Sequence, residues 1–109
     1  MIFTSNQSQV CLDAYSSCQL LLKTIAPENG LNGRIIGLLN ECAHLCVGTF
    51  YAIENASVNA PQMALLCMGI CEECAEACES FENTNFKICA AACRYCSSTM
   101  QDLAMISLD

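Results

Sequence analysis

Apolar positions along this chain recur at three- and four-residue steps, the period of a helix that buries one side, and no segment alternates convincingly as a strand would. Turn-forming residues cut the pattern into four. APENG (26–30) holds the first proline and a glycine and should end one helix. NASVNAP (55–61) ends a second and leaves Pro61 as the first residue of a third, while ENTN (82–85) separates the third from a fourth. The expected helices run over about 7–25, 31–54, 61–80 and 86–105 within a single domain, 1–109. Four helices of this length joined by short loops predict an all-α, up-down-up-down four-helix bundle.

The second segment carries two stripes. Ile35, Leu39, Cys42, Cys46, Phe50 and Ile53 form a core face, and Gly33, Gly37, His44 and Gly48 lie roughly opposite. Glycine is costly inside a helix, so the glycine row implies either close approach by another helix or tolerated exposed glycines. Ile36, Leu45, Val47 and Tyr51 leave little of this helix polar, and the mean hydropathy of the chain is positive. Both features predict apolar surface covered by another subunit.

The inward stripes of the last two helices are unusual in their chemistry. Cys67, Cys71, Cys74 and Cys78 step by four, three and four residues, and Cys89, Cys93 and Cys96 by four and three. Each series therefore lies along one helix face. In an antiparallel hairpin, facing residues have numbers with a constant sum. Cys78 with Cys89, Cys74 with Cys93, Cys71 with Cys96, Cys67 with Met100 and Phe81 with Phe86 all share the sum 167. This predicts rungs of facing sulfurs, with two phenylalanines closing the loop end. Cys11, Cys18, Cys42 and Cys46 add sulfur from the first two helices, with Cys18 opposite Cys42 as the best rung.

Several chemistries use cysteine at this density. Core filling by small apolar residues suits one or two cysteines better than a ladder. Disulfides are disfavoured by the odd count of 11 and by helix axes too far apart for most bridges. Cys71-x-x-Cys74 and Cys93-x-x-Cys96 have the separation of a zinc ribbon, but the intervening residues are helix formers rather than turn residues. CMGICEECAEAC has neither the spacing nor the following proline of a ferredoxin run. A row of thiolates inside a bundle suits Cu(I), a soft d¹⁰ ion satisfied by two or three sulfurs. An iron–sulfur electron carrier, and a helical interaction protein whose reduced cysteines bind nothing or adventitious zinc, remain the alternative readings.

Composition narrows the setting. A formal net charge of −7 with four basic residues argues against nucleic acid and anionic membranes as partners. The start, MIFTSNQSQV, lacks the basic and apolar regions of a secretory signal, and QLLLKTIA is too short to span a bilayer. A cytoplasmic protein with reduced thiols is expected. No Ser/His/Asp set, paired carboxylates or phosphate-binding glycine loop is present, so no catalysis is expected. His44, about 200° around its helix from Cys42, should face away from the thiols. Glu72, Glu73, Glu76 and Glu79 should form a solvated face.

With these motifs in place, ECAHLC, CMGICEECAEAC and CAAACRYC, the chain resembles the cysteine-rich four-helix-bundle copper storage proteins, in particular their cytosolic branch. The resemblance implies a ferritin-like bundle, usually a homotetramer, that stores several Cu(I) ions per chain on core thiolates. It places Cys42, Cys46, Cys67, Cys71, Cys74, Cys78, Cys89, Cys93 and Cys96 at family ligand positions, together with Cys11 and Cys18. Copper ions, and a copper chaperone or small-molecule copper carrier, are the implied partners. The chain departs from the family where Ile35, Phe86 and Met100 interrupt the cysteine stripe and where ESFENTNF replaces histidines after the third helix. Metal is then expected to enter at the opposite end, where Met63, Met100 and Met105 are the candidate entrance residues.

Overall fold

The computed structural model describes residues 6–25 and 33–106. They form α1 (Asn6–Thr24), α2 (Gly33–Glu54), α3 (Ala60–Glu79) and α4 (Thr84–Ile106). The expected break at APENG, and the start of the second helix at 31, lie outside the described residues. Each helix packs on its two neighbours in the ring α1–α2–α3–α4, and no strand is present among the described residues. Consecutive helices run antiparallel, giving the up-down-up-down bundle.

Local chemistry sets the helix ends. Pro61 occupies the first turn of α3, where its missing N–H costs nothing. Ser80 ends α3 by donating its hydroxyl to the Ala77 carbonyl at 2.7 Å. α4 begins at Thr84 rather than 86 because the Asn83 side-chain oxygen accepts the Asn85 N–H at 2.7 Å. α2 closes in a Schellman arrangement: Ser57 N–H reaches Ala52 O, and Ala56 N–H reaches Ile53 O. Ala56 takes the left-handed position there with φ 51°, where glycine is the usual residue.

The core is a single cluster, and all eleven cysteines lie in it, fully buried and free. Around them the remaining core is aliphatic and small: Leu21, Leu39 and Ile35 toward one end, with Ala14, Ala43, Ala64, Ala75 and Ala90 filling between. Alanine at these positions lets the helices approach closely enough for cysteine, a short side chain, to span the middle. The glycine row separates into two cases within the chain. Gly33 and Gly37 face open space, whereas a Cβ on Gly48 would sit 3.1 Å from Cε of Met63. Of this row, Gly48 is the one packed against a neighbouring helix, through the Met63 side chain.

α2 is also, by length and composition, apolar enough to cross a membrane, a longer stretch than QLLLKTIA. In the bundle its buried residues, from Ile35 through Cys42 and Cys46 to Ala52, serve the common core.

Candidate metal centre

The helical register turns the cysteine stripes inward from all four helices. Three sets of thiols converge, with the Sγ atoms of each set all within 4.8 Å of one another: Cys18, Cys42, Cys74 and Cys93; Cys46, Cys67, Cys71 and Cys96; Cys74, Cys78 and Cys89. The first takes one cysteine from each helix. The rungs of the α3–α4 hairpin that pair Cys78 with Cys89, Cys74 with Cys93 and Cys71 with Cys96 are all found within these sets, as is the pairing of Cys18 with Cys42.

The sets join into one column. Cys18 meets Cys89 at 3.7 Å, and Cys42 meets Cys93 at 3.8 Å across the bundle. Cys42 touches Cys71 at 3.7 Å and Cys46 at 3.9 Å. Cys46 lies 3.5 Å from Cys71 and 3.7 Å from Cys67, and Cys67 lies 3.8 Å from Cys96. Cys96 donates to Cys11 at 3.9 Å, and Cys11 donates to the Met100 thioether at 3.6 Å. Met100 thus reaches across to α1 through Cys11, while Cys67 meets Cys96. The step from Cys96 to Met100 advances about 40° beyond a full turn, which swings the thioether toward α1.

Crowded thiols perturb one another's ionisation. Cys67 is favoured as a thiolate because Cys11, Cys46, Cys71 and Cys96 can all donate to it. Cys96 is also held below the usual thiol range, by its hydrogen bonds with Cys11 and Cys46. Hydrogen bonds with Cys42, Cys46, Cys67 and Cys93 push Cys71 upward, with burial adding to the effect. At the far end, Cys78 is helped by its bond with Cys74, yet Cys89 and burial push it up to about 12. A low-dielectric core that stabilises one thiolate therefore resists the next, and a cation is needed to ionise the whole column.

The two ends of the column differ. Phe81 stacks on Phe86 at 4.2 Å and 18° beyond Cys78 and Cys89, the aromatic closure expected for the loop end. At the other end the stripe turns polar. Fully buried Ser8 donates to Oε2 of Glu54 at 2.5 Å, and fully buried Thr49 donates to Leu45 O at 2.6 Å and Met63 O at 3.3 Å. Met100 is fully buried there, Met63 is half-buried and Met105 is exposed. His44 is exposed, with Nδ1 2.8 Å from the Asn40 carbonyl oxygen, outside the thiol column. The four α3 glutamates are exposed; Glu79 pairs with Arg94 at 2.8 Å and Glu72 accepts from Ser97 at 2.9 Å.

The sequence reading missed Ser8, Thr49 and Glu54, because single hydroxyls on a helix stripe carry no distinctive spacing. It also missed the registers between the other helix pairs, which were present as numbers. Cys42 with Cys71 and Cys46 with Cys67 share the sum 113, and Cys11 with Cys96 and Cys18 with Cys89 share the sum 107.

Fold and site together define a four-helix bundle whose core is a stack of thiols, a protein built around sulfur rather than around hydrocarbon. The model of the family described as "Csp: Copper storage protein" matches residues 4–105, and the chain belongs to that family. Among solved structures it is similar to "Cu(I)-bound Copper Storage Protein BsCsp3", with a TM-score of 0.83 and 26% identity over 90% of this chain and 94% of that one. It is also 27% identical, over 88% of its length and 91% of the relative's, to the "Uncharacterized cysteine-rich protein YhjQ" of Bacillus subtilis (strain 168).

Proposed function

We propose that the chain stores or sequesters several Cu(I) ions in its core, in the cytoplasm, with Cys11, Cys18, Cys42, Cys46, Cys67, Cys71, Cys74, Cys78, Cys89, Cys93 and Cys96 as the ligands. The observation that carries this reading is the unbroken column of eleven buried thiols ending on a thioether. Cu(I) accepts two or three soft sulfurs without a fixed geometry, so sulfurs at 3.5–4.0 Å can share ions along the stack. Each ion displaces thiol protons and neutralises the thiolates it creates, which removes the cost of burying their charge. A core closed to solvent keeps the ion from redox cycling, a storage role rather than turnover.

Copper enters, on this reading, at the end marked by Met63, Met100 and Met105. The Cys11–Met100 contact makes the thioether the outermost sulfur of the column. Delivery by a copper chaperone or small-molecule carrier fits an ion that is not left free. Half-exposed Ile88 and Tyr95, one heptad apart on the outer side of α4, support assembly into a homo-oligomer, a tetramer by family likeness.

An anaerobic Cu(I) titration of the reduced chain against a strong competing chelator tests the proposal. Several tightly held ions per chain, with ultraviolet absorption and no visible colour, are expected. Fewer than one ion per chain, or a brown chromophore in the purified protein, would contradict it. Uptake rates unchanged by replacing Met63 and Met100 together with leucine would remove the entrance assignment.

A further inference from the structure

The four sulfurs of Cys46, Cys67, Cys71 and Cys96 are drawn from three helices and converge closely. Four of their six separations are 3.5, 3.7, 3.8 and 4.0 Å, and the remaining two lie within 4.8 Å. Three of these close the triangle Cys46–Cys67–Cys71, and Cys96, 3.8 Å from Cys67 and within 4.8 Å of the other two, fits only out of its plane, so the four atoms form a tetrahedron with Cys96 at the apex. The edge of a tetrahedron of thiolates around Zn²⁺, with Zn–S near 2.3 Å, is about 3.8 Å. Packed thiols touch at similar distances, so no single contact is informative; the closure of four is. The other four-sulfur set, Cys18, Cys42, Cys74 and Cys93, converges within the same 4.8 Å, with Cys42 and Cys93 at 3.8 Å.

We propose that Cys46, Cys67, Cys71 and Cys96 form a tetrahedral tetrathiolate site for one divalent d¹⁰ cation, Zn²⁺, which the chain holds when copper is absent. Cys67 and Cys71, one turn apart on α3, supply one edge; α2 and α4 supply the other two ligands. The second shell is present as well. Cys42 lies 3.9 Å from Cys46 and 3.7 Å from Cys71, and Cys11 lies 3.9 Å from Cys96. Cys42 can donate its S–H to one of the new thiolates, and Cys11 can do so to Cys96 by releasing Met100, which an aliphatic neighbour cannot do.

Binding follows 4 RSH + Zn²⁺ → [Zn(SR)₄]²⁻ + 4 H⁺, so a dianion is buried. Because Cys42 of the neighbouring set touches Cys46 and Cys71, a second dianion would stand beside the first in a dry core, and their repulsion limits the chain to one. Zinc keeps these thiols paired and shielded from oxidation. Cu(I), the softer ion, displaces it at two Cu⁺ for one Zn²⁺, which conserves charge. The zinc site stands independently of copper storage; the displacement rests on it.

The test is a titration of the reduced, metal-free, anaerobic chain with Co²⁺, the coloured tetrahedral reporter for zinc, followed by Zn²⁺. Intense ligand-field bands in the red should saturate at one Co²⁺ per chain and be bleached by one Zn²⁺. Cys67→Ser and Cys46→Ser, each checked for retained helicity by circular dichroism, should weaken Co²⁺ binding by more than the roughly 100-fold that losing a second-shell partner costs. Cys78→Ser should leave the bands unchanged. A weak octahedral spectrum from the native chain would overturn the site. So would bands that survive Cys67→Ser but vanish in Cys93→Ser or Cys78→Ser. Copper storage is read separately by chelator competition, so failure of either result leaves the other standing.

Discussion

The two ends of the sulfur column face opposite chemistries. Beyond Cys78 and Cys89 the stripe becomes hydrocarbon among the described residues: stacked Phe81 and Phe86, then Leu21, Ile35 and Leu39. Beyond Cys11, Cys67 and Cys96 it becomes a thioether, two buried hydroxyls and a carboxylate: Met100, Ser8, Thr49 and Glu54. Both ends are packed, so packing alone does not distinguish them. Ligand chemistry does, and on the proposed function it gives the column a direction, with a stopper at one end and a mouth at the other.

The largest effect should come from breaking the stopper. Phe86 is almost fully buried, and Phe86→Ala should destabilise the apo chain by about 3–5 kcal/mol, measured by urea denaturation. Met100→Leu at the mouth conserves volume and should cost less than about 1.5 kcal/mol while slowing Cu(I) uptake. If the two variants instead lose similar stability and take up copper equally fast, the contrast between the ends fails.

Protonation acts on both ends alike. Cys11 beside Met100 and Cys78 beside the phenylalanines are both pushed up, Cys78 to about 12, while Cys67, Cys96, Cys42 and Cys93 between them are held down. A raised pKa means that protons compete harder for that sulfur as pH falls. Acidification should therefore weaken Cu(I) binding by about tenfold per pH unit for each proton displaced. Chelator competition at stepped pH reads this directly; an affinity that does not change with pH would argue against thiolate ligands.

Smaller changes sharpen the mouth. Ser8→Ala removes the hydroxyl that binds Glu54 and should cost about 1 kcal/mol in thermal or urea unfolding, with helix content retained. Ala56→Gly, in the loop between α2 and α3 at this same end, should stabilise the chain by about 1 kcal/mol, because φ 51° suits glycine and strains alanine.

Much of this arrangement was readable before the structure. Steps of three and four put the cysteines of α3 and α4 on single faces, and the constant sum of 167 paired Cys78 with Cys89, Cys74 with Cys93 and Cys71 with Cys96. Pitch and antiparallel packing are local rules, so numbers alone carry them. What numbers did not convey is rotation about each helix axis, which turns Met100 to Cys11 and brings Cys42 into contact with Cys93 across the bundle. That rotation is set by all four helices packing at once, with alanines deciding the closeness. The polar mouth was hidden for a different reason: Ser8, Thr49 and Glu54 come from separate segments, and only folding brings Ser8 to Glu54.

The most direct test of the account is a crystal structure of the Cu(I)-loaded chain with anomalous scattering recorded at the copper edge. The account predicts several copper peaks strung along the column from Cys11 and Met100 to Cys78 and Cys89, and none beyond Phe86. Copper confined to the exposed α3 glutamates and His44, with the thiol column empty, would contradict it.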